Sequence, residues 1–451
     1  MDRRLLAAPA MAVLLSGCAS VFSSYPAQAD KWLLSYQNGQ VDRLVAELTP
    51  KLESRDGALY GLELGRLAQL GGDTEVSKTG FETAFRNFVE RDEQATLRAG
   101  SAVSGAGAML SNDNALPYVG KDYERIFAHS YQALNYLKLG NYDGAAVELR
   151  RANLEQEAAA ERRMRAISKA EQEAEEQEVD LSRHEGSFAG LNAAAGRVRS
   201  SFQNAYTFYF SAVFWEAARD YNAALVDLRR AFEINPDAVF IEEDIRRVSR
   251  RRGDRVADVR VPGPNEGSLV VFFEQGRVPP KREISLPIPT IHGAFAVAFP
   301  TYDPADIPAA VPLTVVDAEG NGILRTQIIA EVGAMAARSL REDMPGMLVR
   351  QTLRAATKYA AQKQANDANP WAGLATNLYN LVSEQADLRS WNTLPVYVQA
   401  GRTIVPAGEK QIMLSGAGVN QSLDITVSPG GTTVVRVVTM GGVPVVETYR
   451  L

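Results

Sequence analysis

The sequence predicts an α+β protein in which helices come first and strands come last. Three observations carry this expectation. Two nearly identical phrases, "NYDGAAVELRRA" from Asn141 and "DYNAALVDLRRA" from Asp220, share one helical spacing of apolar residues. The stretch from Glu155 to Glu178 contains neither proline nor glycine, which suits a long helix. From about Pro262 the composition turns to β-branched residues, Gly and Pro.

The 451 residues suffice for two or three domains. A chain that is 46% hydrophobic and 23% charged belongs with ordinary globular proteins. A net charge of −6 gives no global attraction to nucleic acid. No internal stretch approaches the roughly 18 apolar residues of a membrane-spanning helix.

The first residues differ from the rest. "MDRRLLAAPAMAVLLSGC" has a basic start at Arg3 and Arg4, then a short apolar run from Leu5 to Leu15. That is the build of a secretion signal. It ends in "LSGC", which resembles the lipobox of bacterial lipoproteins. The resemblance implies a signal peptide over 1–17 and cleavage before Cys18. It also implies diacylglycerol and fatty acyl chains on Cys18, and a lipidated tether over 18–30. Ala19 and Ser20 stand where an aspartate would favour the inner membrane, so the outer membrane is the expected destination. The lipid, not a helix, would form the anchor. Cys18 is the single cysteine, so no internal disulfide is expected.

Residues 31–256 read as helical. Tyr142, Ala145, Leu149 and Ala152 fall on one helix face, and Tyr221, Ala224, Leu228 and Ala231 repeat the arrangement. With "YQALNYLKLG" and "SAVFWEAARD" upstream and Pro236 downstream, the pattern resembles the tetratricopeptide repeat. A weaker copy has Gly65, Ala68, Gly72, Phe81 and Ala84 in register, and "WLLSYQNGQVDRLVAEL" fits a degenerate first unit. The resemblance implies a solenoid in which neighbouring helical hairpins share a core.

The two phrases lie 79 residues apart (141 to 220), against the 34 of one repeat. A heptad seam fills the excess: Ala160, Ile167, Ala174 and Leu181 before "SRHEGS", then Phe188, Leu191, Ala195, Val198, Phe202, Ala205, Tyr209 and Ala212. This predicts a long antiparallel helical hairpin over 153–205. Its first arm would reach on the order of 60 Å, with Glu171 and Glu178 far out on it. It reads as a solvated spacer somewhat better than as a docking arm. Between the helices, "NDNALPYVG" is a loop. Asn112, Tyr118, Tyr123 and Glu124 are candidates there for a partner-binding surface, since loops on rigid scaffolds often carry function. The plainer reading is a connector with a tyrosine packed beneath it. After Pro236 one more helix is expected, with Glu242 and Glu243 four residues before Arg246 and Arg247.

The C-terminal half divides into a mixed region over 262–390 and a β-rich region over 391–451. "GSLVVFFEQG" reads as a buried strand, with "REISLPI", "FAVAF" and "VPLTVVD" as further strands. Three helices should follow. Their faces are Ile328, Val332, Met335 and Ala336; then Val349, Leu353, Ala356 and Ala360; then Trp371, Leu374, Leu378 and Leu381 behind an Asn369 cap. "LPVYVQAG", "RTIVPAG", "KQIMLSG", "SLDITVSPGG", "TTVVRVVTMGG" and "VPVVETYRL" predict a small sandwich or meander.

Chemistry is sparse. The three histidines, His129, His184 and His292, show no metal-ligand spacing. No Gly-x-Ser-x-Gly elbow occurs, and "EGNG" at Glu319 is a turn rather than a phosphate loop. The expectation is a non-enzymatic protein with no metal and no cofactor beyond the lipid.

The lipobox, "YVGKDYERIFAHSYQALNYLKLGNYDGAAVELRRA", "GSLVVFFEQGRVPPKREISLPIP" with "VAFPTY", and "ADLRSWNTLPVYVQAGRTIVPAG" together resemble a family of proteobacterial outer-membrane lipoproteins. The family has tetratricopeptide-like N-terminal halves, and the resemblance covers most of the mature chain. Its members are often encoded near a lipoprotein resembling an activator of penicillin-binding proteins. This implies an outer-membrane-anchored periplasmic protein acting as a protein–protein interaction scaffold in the cell envelope. The implied partner is an envelope protein, such as another lipoprotein or the peptidoglycan synthesis machinery. The alternative is a peptidoglycan- or glycan-binding envelope protein and, behind that, a glycan-active one. The family offers no catalytic residues to carry over.

Overall fold

A computed structural model describes residues 23–99, 113–177, 181–290, 293–368 and 385–451. Cys18, Asn112, Glu178, His292 and the expected helix from Asn369 lie outside the described residues. The protein is mixed α+β, with its helices mostly N-terminal and its sheets C-terminal.

Two short helices, α1 (Tyr25–Gln37) and α2 (Val41–Leu48), open the described chain. Three helical hairpins follow. The first joins α3 (Gly57–Leu70) to α4 (Thr74–Ala99), the second α5 (Asp122–Lys138) to α6 (Tyr142–Glu176). The third joins α8 (Ala205–Ala217) to α9 (Tyr221–Ile234). In the first, glycines bring the two backbones together. A Cβ on Gly80 would lie 2.7 Å from the amide nitrogen of Gly65, closer than real contacts allow. Neighbouring hairpins meet through aromatic pairs. Phe81 stacks on Tyr131 with centroids 6.4 Å apart, and Phe127 on Tyr206 at 5.7 Å.

The doubled phrase builds the same local structure twice. Asn141 and Asp220 cap α6 and α9, and their side chains accept from Gly144 N–H at 2.8 Å and Ala223 N–H at 3.0 Å. Ala145, Leu149 and Ala152 are buried, as are Ala224, Leu228 and Ala231. The tyrosines open their helices and sit shallower than expected. Tyr142 is half exposed and donates to the Arg450 carbonyl at 3.2 Å, while Tyr221 is half buried. The turns before the caps also match, with one exception. Gly140 (φ +71°) in the first is replaced by Arg219 (φ +62°) in the second. A side chain in the left-handed region costs roughly 1–2 kcal/mol, partly offset by the extra backbone freedom glycine brings to the unfolded chain. Arg219→Gly is therefore expected to stabilise the protein by about 0.5–1 kcal/mol, and Gly140→Ala to destabilise it, as read from urea midpoints.

The long hairpin is not formed as expected. The first arm is present, since α6 runs unbroken for 35 residues, on the order of 52 Å. The second is not a helix. A 3₁₀ segment (Leu181–Phe188) leads to a short α7 (Ala189–Ala195), and 196–204 are non-helical. Gly186, Gly190 and Gly196, followed by "RVRSS", interrupt the heptads that the apolar spacing suggested. Phe188, Leu191 and Ala195 are still buried, but against other partners, with Phe188 edge-on to Phe299 at 6.0 Å.

After α10 (Val239–Arg252) come β1 (Glu266–Gln275), β2 (Arg282–Thr290), β3 (Gly293–Thr301), β4 (Thr314–Val316), β5 (Gly322–Arg325) and β6 (Gln327–Ala330). One helix, α11 (Val332–Ala368), replaces the first two of the three expected, running through Pro345; Ile328 belongs to β6. Both α7 and the outer part of α6 pack on α11. Ala170 and Ala174 of α6 are buried, and Arg163 pairs with Asp343 at 2.6 Å. The arm therefore lies along the C-terminal half instead of protruding. Glu171 on it is exposed.

The chain ends in β7 (Tyr397–Pro406), β8 (Gly408–Gly416), β9 (Val419–Val427), β10 (Thr432–Thr439) and β11 (Val445–Arg450). β7 continues through Gly401, where a turn was expected. The five-stranded sheet has the order β11-β10-β1-β7-β6, with β1 parallel to β10 and antiparallel to β7. A four-stranded sheet runs β5-β4-β8-β9, and β2 pairs with β3. Strands from both sides of residue 390 thus share sheets, so the expected boundary there divides nothing. β1 explains the layering. Leu269, Val271 and Phe273 belong to the core shared with the four-stranded sheet. Val270 and Phe272 face the helices, where Phe272 meets Tyr206, Tyr209 and Phe210 edge-on. Burial on both faces accounts for its continuous apolar run.

Candidate functional site

Glu274 continues the helix-facing row of β1 beyond Val270 and Phe272. It is fully buried and bonded to three partners: Arg66 of α3, Arg436 of β10 (2.5 Å) and the Tyr131 hydroxyl (3.1 Å). Arg436 also pairs with Glu447 at 2.7 Å, which takes Lys138 at 2.6 Å. Burial raises the Glu274 carboxyl, but the guanidiniums of Arg436 and Arg66 outweigh it and hold the group below its ordinary range. A second cluster binds α8, α10 and β7. Glu216 pairs there with Arg247 and with Arg402 (2.7 Å) and is held down to about 2. Burial opposes that shift, and the two arginines overcome it.

Two further carboxylates clasp the segment before β7. Glu63 accepts from the Tyr25 hydroxyl (2.9 Å), Asn392 N–H (2.8 Å) and the Thr393 hydroxyl (2.6 Å). Glu124 accepts from the Tyr118 hydroxyl (2.6 Å), Lys121 N–H (2.8 Å) and Trp391 N–H (2.8 Å). Arg389 reaches Asp56 and the Leu116 carbonyl. Tyr118, Tyr123 and Glu124 are therefore buried and do not offer the contact surface expected of them. The reason is that the polar groups of "ADLRSWNTLP" need partners inside the core, and this loop supplies them.

Burial pushes Glu63 up to about 7, and Asp227 up to about 6. A carboxyl raised in the folded state adds stability that is complete below its unfolded value, 4.5 for Glu63. That stability is lost as pH rises through about 7. Glu216, lowered to about 2, contributes above 4.5 and loses its contribution as pH falls through about 2. Urea midpoints should thus fall on both sides of an optimum near pH 4.5. Glu63→Gln should flatten the alkaline side.

The candidate site is a cleft of 1130 Å³ between α6, the third hairpin, the 196–204 segment and β6. Its walls carry both charges: Arg197 pairs with Glu331 at 2.5 Å, and Arg230 with Glu157 at 2.7 Å. Phe208, Ile234, Ile329 and Met335 supply apolar wall. A smaller hollow of 510 Å³ lies between Lys138, Tyr142 and β11. Among the described residues no group of His, Cys, Asp and Glu is arranged to hold a metal, and no helix is long and apolar enough to cross a membrane. Sequence reasoning passed over the cleft because its residues come from four separate segments. The readable signal was Asn204, a capping residue directly before the apolar run "AYTFYF". No family model, curated protein or solved structure matches the chain.

Proposed function

We propose that this is a lipid-anchored protein of the bacterial outer membrane that acts as a non-enzymatic scaffold for another envelope protein. The observation that carries the reading is the cleft. It is large, walled by charges of both signs, and flanked by an edge strand, β6. That suits a length of polypeptide better than a compact metabolite. The interior carboxylates are engaged in holding the fold together, which leaves recognition to the surface. In this reading the three hairpins are tetratricopeptide-like units, Cys18 carries the lipid, and the partner is a lipoprotein or a component of the peptidoglycan synthesis machinery.

Crosslinking in cells followed by purification from solubilised membranes should recover one envelope protein in stoichiometric amount. Recovery of this chain alone would contradict the scaffold. Cys18→Ser should lose labelled fatty acid and leave the membrane fraction; a variant that still fractionates with membranes would contradict the anchor.

A further inference from the structure

Two side chains on the cleft wall have donors with nothing to donate to. Gln156 and Asn204 are 2% and 1% exposed. The Gln156 side-chain oxygen accepts from Asn204 N–H at 3.0 Å, and the Asn204 side-chain oxygen accepts from Thr207 N–H at 2.8 Å. Both oxygens are fixed by backbone donors, so neither amide can be flipped, and the NH₂ groups are the ends left over. Gln156 Nε2 and Asn204 Nδ2 have no hydrogen-bond partner, and both residues line the cleft. A buried donor without an acceptor is costly enough that its presence calls for an explanation. Arg199, exposed on the neighbouring segment, also lines the cleft and forms no ion pair among the described residues.

Two unpartnered amide donors and a guanidinium bordering one cleft suit an anionic acceptor with two oxygens, a carboxylate. The apolar wall beyond them accommodates side chains rather than a bare ion. The edge strand does not offer its full ladder to an added strand, because Asn235 Nδ2 already donates to the Ile328 carbonyl at 2.7 Å. Capture by the chain end is therefore favoured over strand addition. We propose that the cleft binds the free C-terminal carboxylate of a polypeptide, with Gln156, Asn204 and Arg199 as its donors. The assignment rests on the scaffold reading and adds the part of the partner that is recognised.

The test uses the full chain purified from membranes and two pools of N-acetylated tetrapeptides, one with free C-termini and one C-terminally amidated. The free-acid pool should be retained at least tenfold better. Asn204→Asp and Gln156→Glu keep the structural oxygens but replace the donors with acceptors, and each should lower retention at least tenfold. Asn204→Ser, which keeps a capping oxygen, loses the amide donor and buries no charge, should do the same, and so separates lost binding from a carboxylate that perturbs folding. Equal retention of the two pools, variants that bind as well as the parent, or acetate competing as well as peptide would overturn the proposal. A membrane partner recovered without peptide retention would sink this assignment and leave the scaffold standing. Loss of both would sink the scaffold.

Discussion

Replacing Glu274 with alanine is expected to cost about 3–5 kcal/mol, the usual penalty for removing one member of a buried ion pair. Arg66 and Arg436 are both 1% exposed and would be left with less compensation in the buried layer between helices and sheet. Arg436 would retain Glu447, and Arg66 weaker contacts with Gln69 and the Thr393 carbonyl at 3.4 Å and with the Tyr131 ring at 4.2 Å. The loss is thus mainly one of uncompensated charge. Two controls follow. Changing Glu274, Arg66 and Arg436 together to apolar residues of similar volume should recover much of the stability. The wild-type contribution should also resist salt, because buried pairs are little screened. Urea midpoints at neutral pH give the answer, and a Glu274→Ala protein within 1 kcal/mol of the parent would refute this picture of the interface.

Trp391→Ala should be comparably damaging, by about 3–5 kcal/mol for a fully buried tryptophan. Its ring lies 6.0 Å from Phe81 and 5.8 Å from Tyr131, both edge-on, and its indole N–H donates to the Thr393 hydroxyl at 2.8 Å. Its backbone N–H is one of the donors held by Glu124. Losing the ring removes packing that keeps this segment within reach of Glu63 and Glu124. The damage should therefore be local as well as global: hydrogen exchange and proteolysis should rise first around 388–396. Trp391→Phe, which keeps an aromatic contact, should cost less. Uniform loss of protection without a local excess would show that the segment is not latched this way.

Much of the architecture was legible because it is written in local periodicity. The doubled phrase gave two capped helices with the same buried alanines and leucine, and "GSLVVFFEQG" gave a strand buried on both faces. The long hairpin failed because Phe188, Leu191 and Ala195 are apolar at heptad spacing for a different reason. They pack on α11 and β3, and nothing in their own segment specifies those partners. The latch was readable only in part. Glu274 inside "LVVFFEQ" and Arg436 inside "TVVRVVT" are charges within buried strands, which require opposite charges nearby. Tyr118 and Glu124 looked like loop-surface residues because the polar strand approach that buries them begins more than 260 residues later. The cleft was invisible for the same reason, since folding alone brings Gln156, Asn204 and β6 together.

An envelope partner is expected to meet the protein at the cleft rather than at another face. A photo-crosslinking residue placed at exposed Gln203 on the cleft, or at exposed Glu409 on β8, separates the two faces in cells. One discrete crosslinked envelope protein is expected from position 203 and none from 409. Adducts from 409 with none from 203 would show that another face is used.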